Sequence, residues 1–398
     1  MAKGVEKNEV KTHTLRSSLL AERRAKQPDF WLLLVVLLLL GIGTMMVFSA
    51  STASAYAQRA ESTAYDILRG QIGYALFGVV MMGIFSRVSY KLFGRCAFLI
   101  YGGAILLLIL VQTPLGRVYN GARRWLSLGI EFQPSEILKL AAVIYMAYVL
   151  SHPKIRDKSI RLWGILIYGV PLILGVLLIF IQPHISCIVI VCGMVLLMMF
   201  VGGVKWPTFL VCIGVVVVCG VAAGIWASTT DALDFGYLGT RWNAFVDPES
   251  DTTGGSYQIL QSLYAIGSGG LFGRGFGQSV QKYLYLPEPY NDFIFSVLAE
   301  ELGFIGVAIV LILFLILITR GYKISAYAPD RFSSLVAFGI TTNIAIQTTM
   351  NIAVVSKVMP VTGVSLPFFS YGGTALVILM VNMGILLNIS RHAKYPKF

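Results

Sequence analysis

The chain has 398 residues and a formal charge of +12, yet only 13% of its residues are charged and 57% are hydrophobic. Soluble domains lie near 45–50% apolar and about 25% charged, so this composition, with a mean hydropathy of +0.77, describes a membrane protein. Its Lys and Arg are spread along short connections between apolar runs, with no basic face and no RNA-type aromatic motif, which argues against nucleic-acid binding. The five cysteines, Cys96, Cys187, Cys192, Cys212 and Cys219, fall in apolar runs at spacings that fit neither a disulfide framework nor a zinc site.

In chain order, runs of about 17–25 apolar residues predict ten spanning helices, near 30–50, 71–89, 95–113, 134–151, 161–182, 185–203, 207–227, 292–319, 331–355 and 367–390. The expected fold class is therefore an all-α polytopic membrane protein. The first run is too long for a cleaved signal, and no small-residue cleavage site follows it. With the amino terminus inside, cytoplasmic segments hold 21 Lys and Arg and the outer loops 9, an asymmetry that favours both termini in the cytoplasm. This gives a disordered cytoplasmic tail over 1–29, a membrane domain over 30–390 and a cytoplasmic tail over 391–398. One connection is out of proportion: 228–291, a large extracytoplasmic loop between spans 7 and 8, and loops of that length are usually functional. Within it, "SYQILQSLYAIGS" puts Tyr257, Leu260, Leu263 and Tyr264 on one face, which predicts a helix lying on the outer leaflet. A second outer loop spans 114–133. No internal repeat is visible, which weakens an inverted-repeat transporter reading.

Several polar stretches interrupt this apolar chain. In "QPSEILK", Pro134 suits a first helical turn, and Glu136 and Lys139 share a face and should pair inside the span. That pair either fixes the helix or borders a polar cavity. In "RVYNGARRWLSLG", Arg123 and Arg124 either anchor the chain at the headgroups or clamp a phosphate with a guanidinium fork. The tract "GSGGLFGRGFGQ" lacks the preceding strand of a nucleotide loop, so its glycines predict a tight, close-packed loop beside the bilayer. "PVTGVSLPFFSYGGT" describes irregular backbone at membrane depth, tolerated only where it is buried in protein or lines a watery cavity. Asp292 stands at the outer end of the eighth span, where it is either a helix cap or a reactive acid. Glu300 and Glu301 lie about 12 Å deeper; at least one of them needs a partner, because a bare carboxylate there costs roughly 2.5–3.5 kcal/mol.

Together, "NGARRWL", "QPSEILK", "FVDPESDTTGGSYQILQSLYAIGSGGLFGRGFG", "LPEPYNDFIFSVLAEELGFIG" and "PVTGVSLPFFSYGGT" resemble the shape, elongation, division and sporulation family of bacterial peptidoglycan polymerases. The likeness is greatest to its division and sporulation branch (FtsW and SpoVE) rather than to the rod-shape branch (RodA). It implies a glycosyltransferase that polymerises lipid II, working with a class B penicillin-binding protein and other division machinery. It places the family's essential aspartate on Asp292, its intramembrane pair on Glu136 and Lys139, and its loop serine on Ser370. The chain departs from the pattern at "QPHIS", where His184 replaces a frequent acid. That substitution puts any divalent-ion role of the acid in doubt.

The implied chemistry joins these residues. An acceptor hydroxyl must lose a proton as it attacks the anomeric carbon of a lipid-linked donor, and Asp292 is the outer carboxylate placed to take it. The departing pyrophosphate needs cations; Arg123, Arg124, Arg241 and Lys282 are the candidates, with an Mg²⁺ or Mn²⁺ ion in addition and no organic cofactor. Glu300 is expected to shape its helix rather than to do the chemistry. The competing classes are a lipid II flippase, which the intramembrane charges suit, and a non-catalytic scaffold for a transpeptidase. Orientation is testable: a cysteine placed in 245–256 should react with an impermeant thiol reagent from outside, and one in 154–158 should not. The reverse pattern would move Asp292 to the cytoplasm and end the polymerase reading.

Overall fold

The computed structural model describes residues 27–57, 64–119, 122–127, 129, 131–153, 162–229, 245–246, 255–283 and 285–394. Residues 1–26 and 395–398 of the expected tails, Arg241 and most of 230–254 lie outside the described residues. Each of the ten predicted spans coincides with a helix: α1 (Phe30–Ala57), α2 (Ala64–Phe85), α3 and α4 (Tyr90–Arg95 and Ala97–Val111), α5 (Pro134–Ser151), α6 (Leu162–Ile181), α7 (Ile185–Val201), α8 (Trp206–Thr229), α10 (Ile294–Ala326), α11 (Arg331–Val355) and α12 (Gly373–His392). Five are long and apolar enough to cross a membrane by length and composition. α11 is not among these five, because its buried face carries Thr341, Thr342, Asn343, Gln347, Thr348 and Asn351. It can afford them because it packs among α5, α7, α10 and α12.

The two ends of the bundle domain meet. The Asp29 carboxylate caps α1 at Leu32, and the Asp29 backbone N–H donates to Ser390 Oγ at 3.0 Å, so α1 begins beside the end of α12.

The loop 114–133, expected on the outer side, departs from the all-helical expectation. It folds as an antiparallel sheet of β1 (Gly116–Tyr119), β2 (Ala122–Ser127) and β3 (Glu131–Phe132), in that order. Glu131 closes it by taking Arg117 at 3.3 Å and the Tyr119 hydroxyl at 3.0 Å. The signal was the alternation in "RVYNGARRWLS", with Asn-Gly at its centre, a hairpin pattern. The helix predicted from "SYQILQSLYAIGS" is present as α9 (Gly255–Ser268), but its buried face is Ser256, Ile259, Ser262 and Ala265. It docks on α10 through Ser262, which bonds Ser296 and the Val355 carbonyl, both at 2.7 Å. Of the expected apolar face, Leu263 packs against the core while Tyr264 is exposed.

The helix carrying Glu300 and Glu301 is broken just beyond them. Gly303 has φ +66° and ψ −169°, so the α10 ladder stops and restarts. Freed polar groups at membrane depth must find partners within the protein, and the glycine tract supplies them. Arg274 and Gly275 N–H groups donate to the carbonyls of Glu300 and Glu301, while Phe304 and Ile305 donate to Gly270 and Leu271. The approach is so close that a Cβ on Gly273 would fall 2.1 Å from the Glu301 oxygen. The tight loop expected of these glycines is what they form.

The two carboxylates then organise the next turn of chain. Glu300 accepts from the Val280 and Gln281 N–H groups and the Ser279 hydroxyl. Glu301 accepts from Ser49 at 2.6 Å and pairs with Lys282 at 2.9 Å. Both side chains of that pair are at most 1% exposed. Removing one partner of a buried pair strands the other charge and typically costs about 3–5 kcal/mol. Lys282→Ala and Glu301→Ala should each lower the melting temperature in detergent steeply, and Lys282→Met with Glu301→Leu should recover most of the loss. A double variant no more stable than either single one would show that the pair is not what fixes the loop.

Candidate active site

Asp292 lies on the turn leading into α10, which begins at Ile294 with Phe293 as its first flanking residue and no side-chain cap. The span was expected to start at 292 with Asp292 as a possible cap; the helix starts two residues later, with Phe293 at the N-cap position. The Asp292 backbone is held. Asn351 Nδ2 donates to the Asp292 carbonyl at 2.9 Å and to the Val364 carbonyl at 2.7 Å, tying α11 to both loops. Gly363, at φ +67°, lies under the carboxylate: a Cβ there would sit 3.3 Å from Asp292 Oδ2. Only glycine combines that backbone with that proximity at little cost.

Ser370 serves the same turn. Its hydroxyl accepts from Leu366 N–H and donates to the Asn291 carbonyl, both at 2.7 Å, and Tyr371 N–H donates to the Tyr290 carbonyl at 2.9 Å. Expected to contact substrate, Ser370 is placed as a clamp between the 360–372 loop and the residue before Asp292.

The two arginines are separated by the sheet. Pairing runs Arg117 with Trp125 and Val118 with Arg123, so Arg124 is the extra residue of a β-bulge. Bulges re-aim a side chain. Arg124 turns inward, its Nε donating to the Gln182 carbonyl at 3.1 Å and its Nη2 to the Pro183 carbonyl. Burial lowers its affinity for a proton, and the Asp292 carboxylate, within electrostatic reach, opposes that shift. Arg123 stays exposed. Lys282 lies in the buried network instead: its three N–H donors meet Glu301, Ser49 and the Gly277 carbonyl, which leaves none for a substrate.

Deeper in the bundle the expected pair is formed, with Lys139 Nζ 2.8 Å from Glu136 Oε2 and a further contact to Gln347. It borders a cavity of about 30 Å³ lined also by Asn343, Ser365 and Asn382, which is room for ordered water. Asn343, Gln347 and Asn351 recur every fourth residue on α11 and so share one face. Sequence reasoning passed over this stripe, though its spacing was visible.

His184, between α6 and α7, is half-buried as a residue, but its Nδ1 is sealed from solvent without a hydrogen-bond partner. Burial, with Arg124 and Lys139 nearby, pushes its pKa down to about 3. Hard cations such as Mg²⁺ need several oxygen ligands. Among the described residues no three His, Cys, Asp or Glu converge as ligands, and the surroundings of His184 are cationic. These residues do not fit a resident Mg²⁺ or Mn²⁺ site.

A histidine that folds neutral makes stability depend on pH. Above about pH 6.5 it is neutral folded and unfolded; below, the unfolded chain takes a proton that the folded one refuses. Stability should therefore fall as pH drops from 6.5 toward 3, by up to about 1.4 kcal/mol per unit. His184→Gln should flatten the contribution, read as a smaller loss of melting temperature between pH 7 and pH 5. Identical profiles would place the histidine in contact with water.

Comparison with known proteins bears on this arrangement. The Cell cycle protein family of FtsW, RodA and SpoVE matches residues 30–395. Stage V sporulation protein E of Bacillus subtilis is 39% identical over 370 residues, covering 92% of this chain and 98% of that protein. A probable peptidoglycan glycosyltransferase FtsW of Trichlorobacter lovleyi is 39% identical, covering 93% and 95%. Among solved structures, a chain of a peptidoglycan synthase complex aligns with a TM-score of 0.73 at 26% identity, covering 92% and 98%. The rod shape determining protein RodA of Thermus thermophilus aligns with a TM-score of 0.66 at 26% identity, covering 93% and 98%. With a match over nearly its whole length and a helical bundle of the same fold, the chain belongs to the FtsW/RodA/SpoVE family.

Proposed function

We infer that the protein is a peptidoglycan glycosyltransferase that polymerises lipid II at the outer face of the cytoplasmic membrane, in division or sporulation. The observation that carries the chemistry is Asp292. Its backbone is fixed by Asn351, its carboxylate rests against Gly363, and Arg124 is within electrostatic reach. In this reading the acceptor hydroxyl attacks the anomeric carbon of the lipid-linked donor. The new C–O bond forms as the bond to pyrophosphate breaks, and the hydroxyl proton passes to Asp292 as general base. Arg124 keeps three of its five N–H donors beyond those given to Gln182 and Pro183, and with them it meets the charge developing on the pyrophosphate. Glu136, Lys139 and Ser370 are positioning residues: the pair keeps α5 and α11 in register beneath the site, and the serine holds the turn. Arg123 and Arg241 remain proposed contacts for the outer phosphates, Lys282 supports the loop, and no resident cation is assigned.

The reading takes both termini as cytoplasmic, which the excess of Lys and Arg on that side supports. It also takes the working partner to be a class B penicillin-binding protein, a single-span transpeptidase, in line with the synthase complex among its structural neighbours.

Asp292→Asn keeps the size and the backbone bond to Asn351 but cannot accept a proton. Polymerisation of labelled lipid II should fall by at least ~10²-fold, the usual scale for a general base, with melting temperature and partner binding kept. Glu288→Gln, at an exposed position in the same loop, should be mild. Near wild-type polymerisation by Asp292→Asn would sink the assignment. Lipid II translocation without polymerisation by the wild type, partner included, would favour the flippase instead.

A further inference from the structure

A second recess lies at the other end of α11 from Asp292. From Asn351 to Asp330 the helix runs about 30 Å by its rise per residue, close to the thickness of a bilayer's hydrocarbon core. The recess is an open groove of about 460 Å³, lined by Tyr90, Lys91, Arg95, His152, Asp330 and Arg331 among others. It is thus large enough for a small-molecule head group.

Its charges are unbalanced. Asp330, the one carboxylate in the lining among the described residues, is already engaged: it accepts the Tyr90 hydroxyl at 2.6 Å and caps α11 through Ser333 N–H at 2.9 Å. Arg331 is anchored on the Gly202 carbonyl. Lys91 and Arg95 are exposed and make no ion pair or side-chain hydrogen bond among the described residues. The His152 Nδ1 is sealed from solvent in the wall without a partner. Aromatic Tyr90, Tyr148 and Phe332 supply an apolar floor. A groove with three cations, one spent carboxylate and an apolar floor at a helix-bundle end suits a phosphodiester that carries acyl chains.

We propose that this groove binds the phosphodiester head of an anionic phospholipid, with Lys91 and Arg95 as its principal contacts and Arg331 behind them. The site is separate from the chemistry at Asp292 and does not depend on it. The ligand chemistry is that of phosphate, so the alternative source is free phosphate, and the test distinguishes the two.

The full chain, delipidated in detergent, is titrated with phosphatidylglycerol, with phosphatidylcholine and with inorganic phosphate, and bound lipid is counted by native mass spectrometry. Phosphatidylglycerol should be retained at one saturable site in preference to phosphatidylcholine, and millimolar phosphate should not displace it. Lys91→Ala with Arg95→Ala should weaken that retention by roughly tenfold or more, while Arg69→Ala, an exposed cation of another helix, should leave it unchanged. If the double alanine variant folds poorly, Lys91→Gln with Arg95→Gln serves the same comparison. Equal retention of both lipids, undiminished retention in the double variant, or displacement of lipid by phosphate would each overturn the proposal.

Discussion

The buried contact between Lys282 and Glu301 governs how the half of this protein around Asp292 is arranged. A charge pair with almost no exposure is held only where each partner's remaining donors and acceptors are met, and here they are. Ser49 from α1 joins the pair, so one polar knot links the first helix, the glycine loop and α10. The helix break at Gly303 makes this possible. It releases backbone groups that the glycine loop takes up, and it turns Glu300 and Glu301 toward the chain that precedes Asp292. Both carboxylates answer a structural need, with Glu300 accepting from the backbone N–H groups of Val280 and Gln281 as an anion in its cradle and Glu301 neutralising a lysine.

The same logic sets Asp292. Other residues hold its backbone: Asn351 at its own carbonyl and Ser370 at that of Asn291. A reactive group needs fixed geometry from supporting groups whose own positions are locked. Here the support comes from α11, a helix too polar to face lipid and enclosed on several sides. The polar residues that disqualify it as a simple span are the ones that build the site.

α11 also joins two regions of different character. At one end Asn351 meets the Asp292 turn; at the other Asp330 starts the helix beside a cationic groove. The first region concentrates one carboxylate near one arginine, and the second leaves cations in excess.

The sequence by itself determined the helical class, the ten helical segments and the pairing of Glu136 with Lys139. These follow from composition and from spacings of three and four residues, which are local. It also marked Asp292 and the glycine tract as unusual, because acids and glycines at membrane depth violate local expectation. Tertiary structure alone decided what each polar group does. Arg123 and Arg124 are neighbours in "ARRW", and a β-bulge that depends on the opposite strand sends only one inward. Lys282 reads as a loop cation until Ser49, more than two hundred residues earlier, closes over it. Ser370 reads as a substrate contact until its hydroxyl is found between two backbone groups. Local pattern fixes where a polar residue stands along its own helix or strand. Which partner neutralises it depends on packing between segments far apart in the chain, and no spacing encodes that.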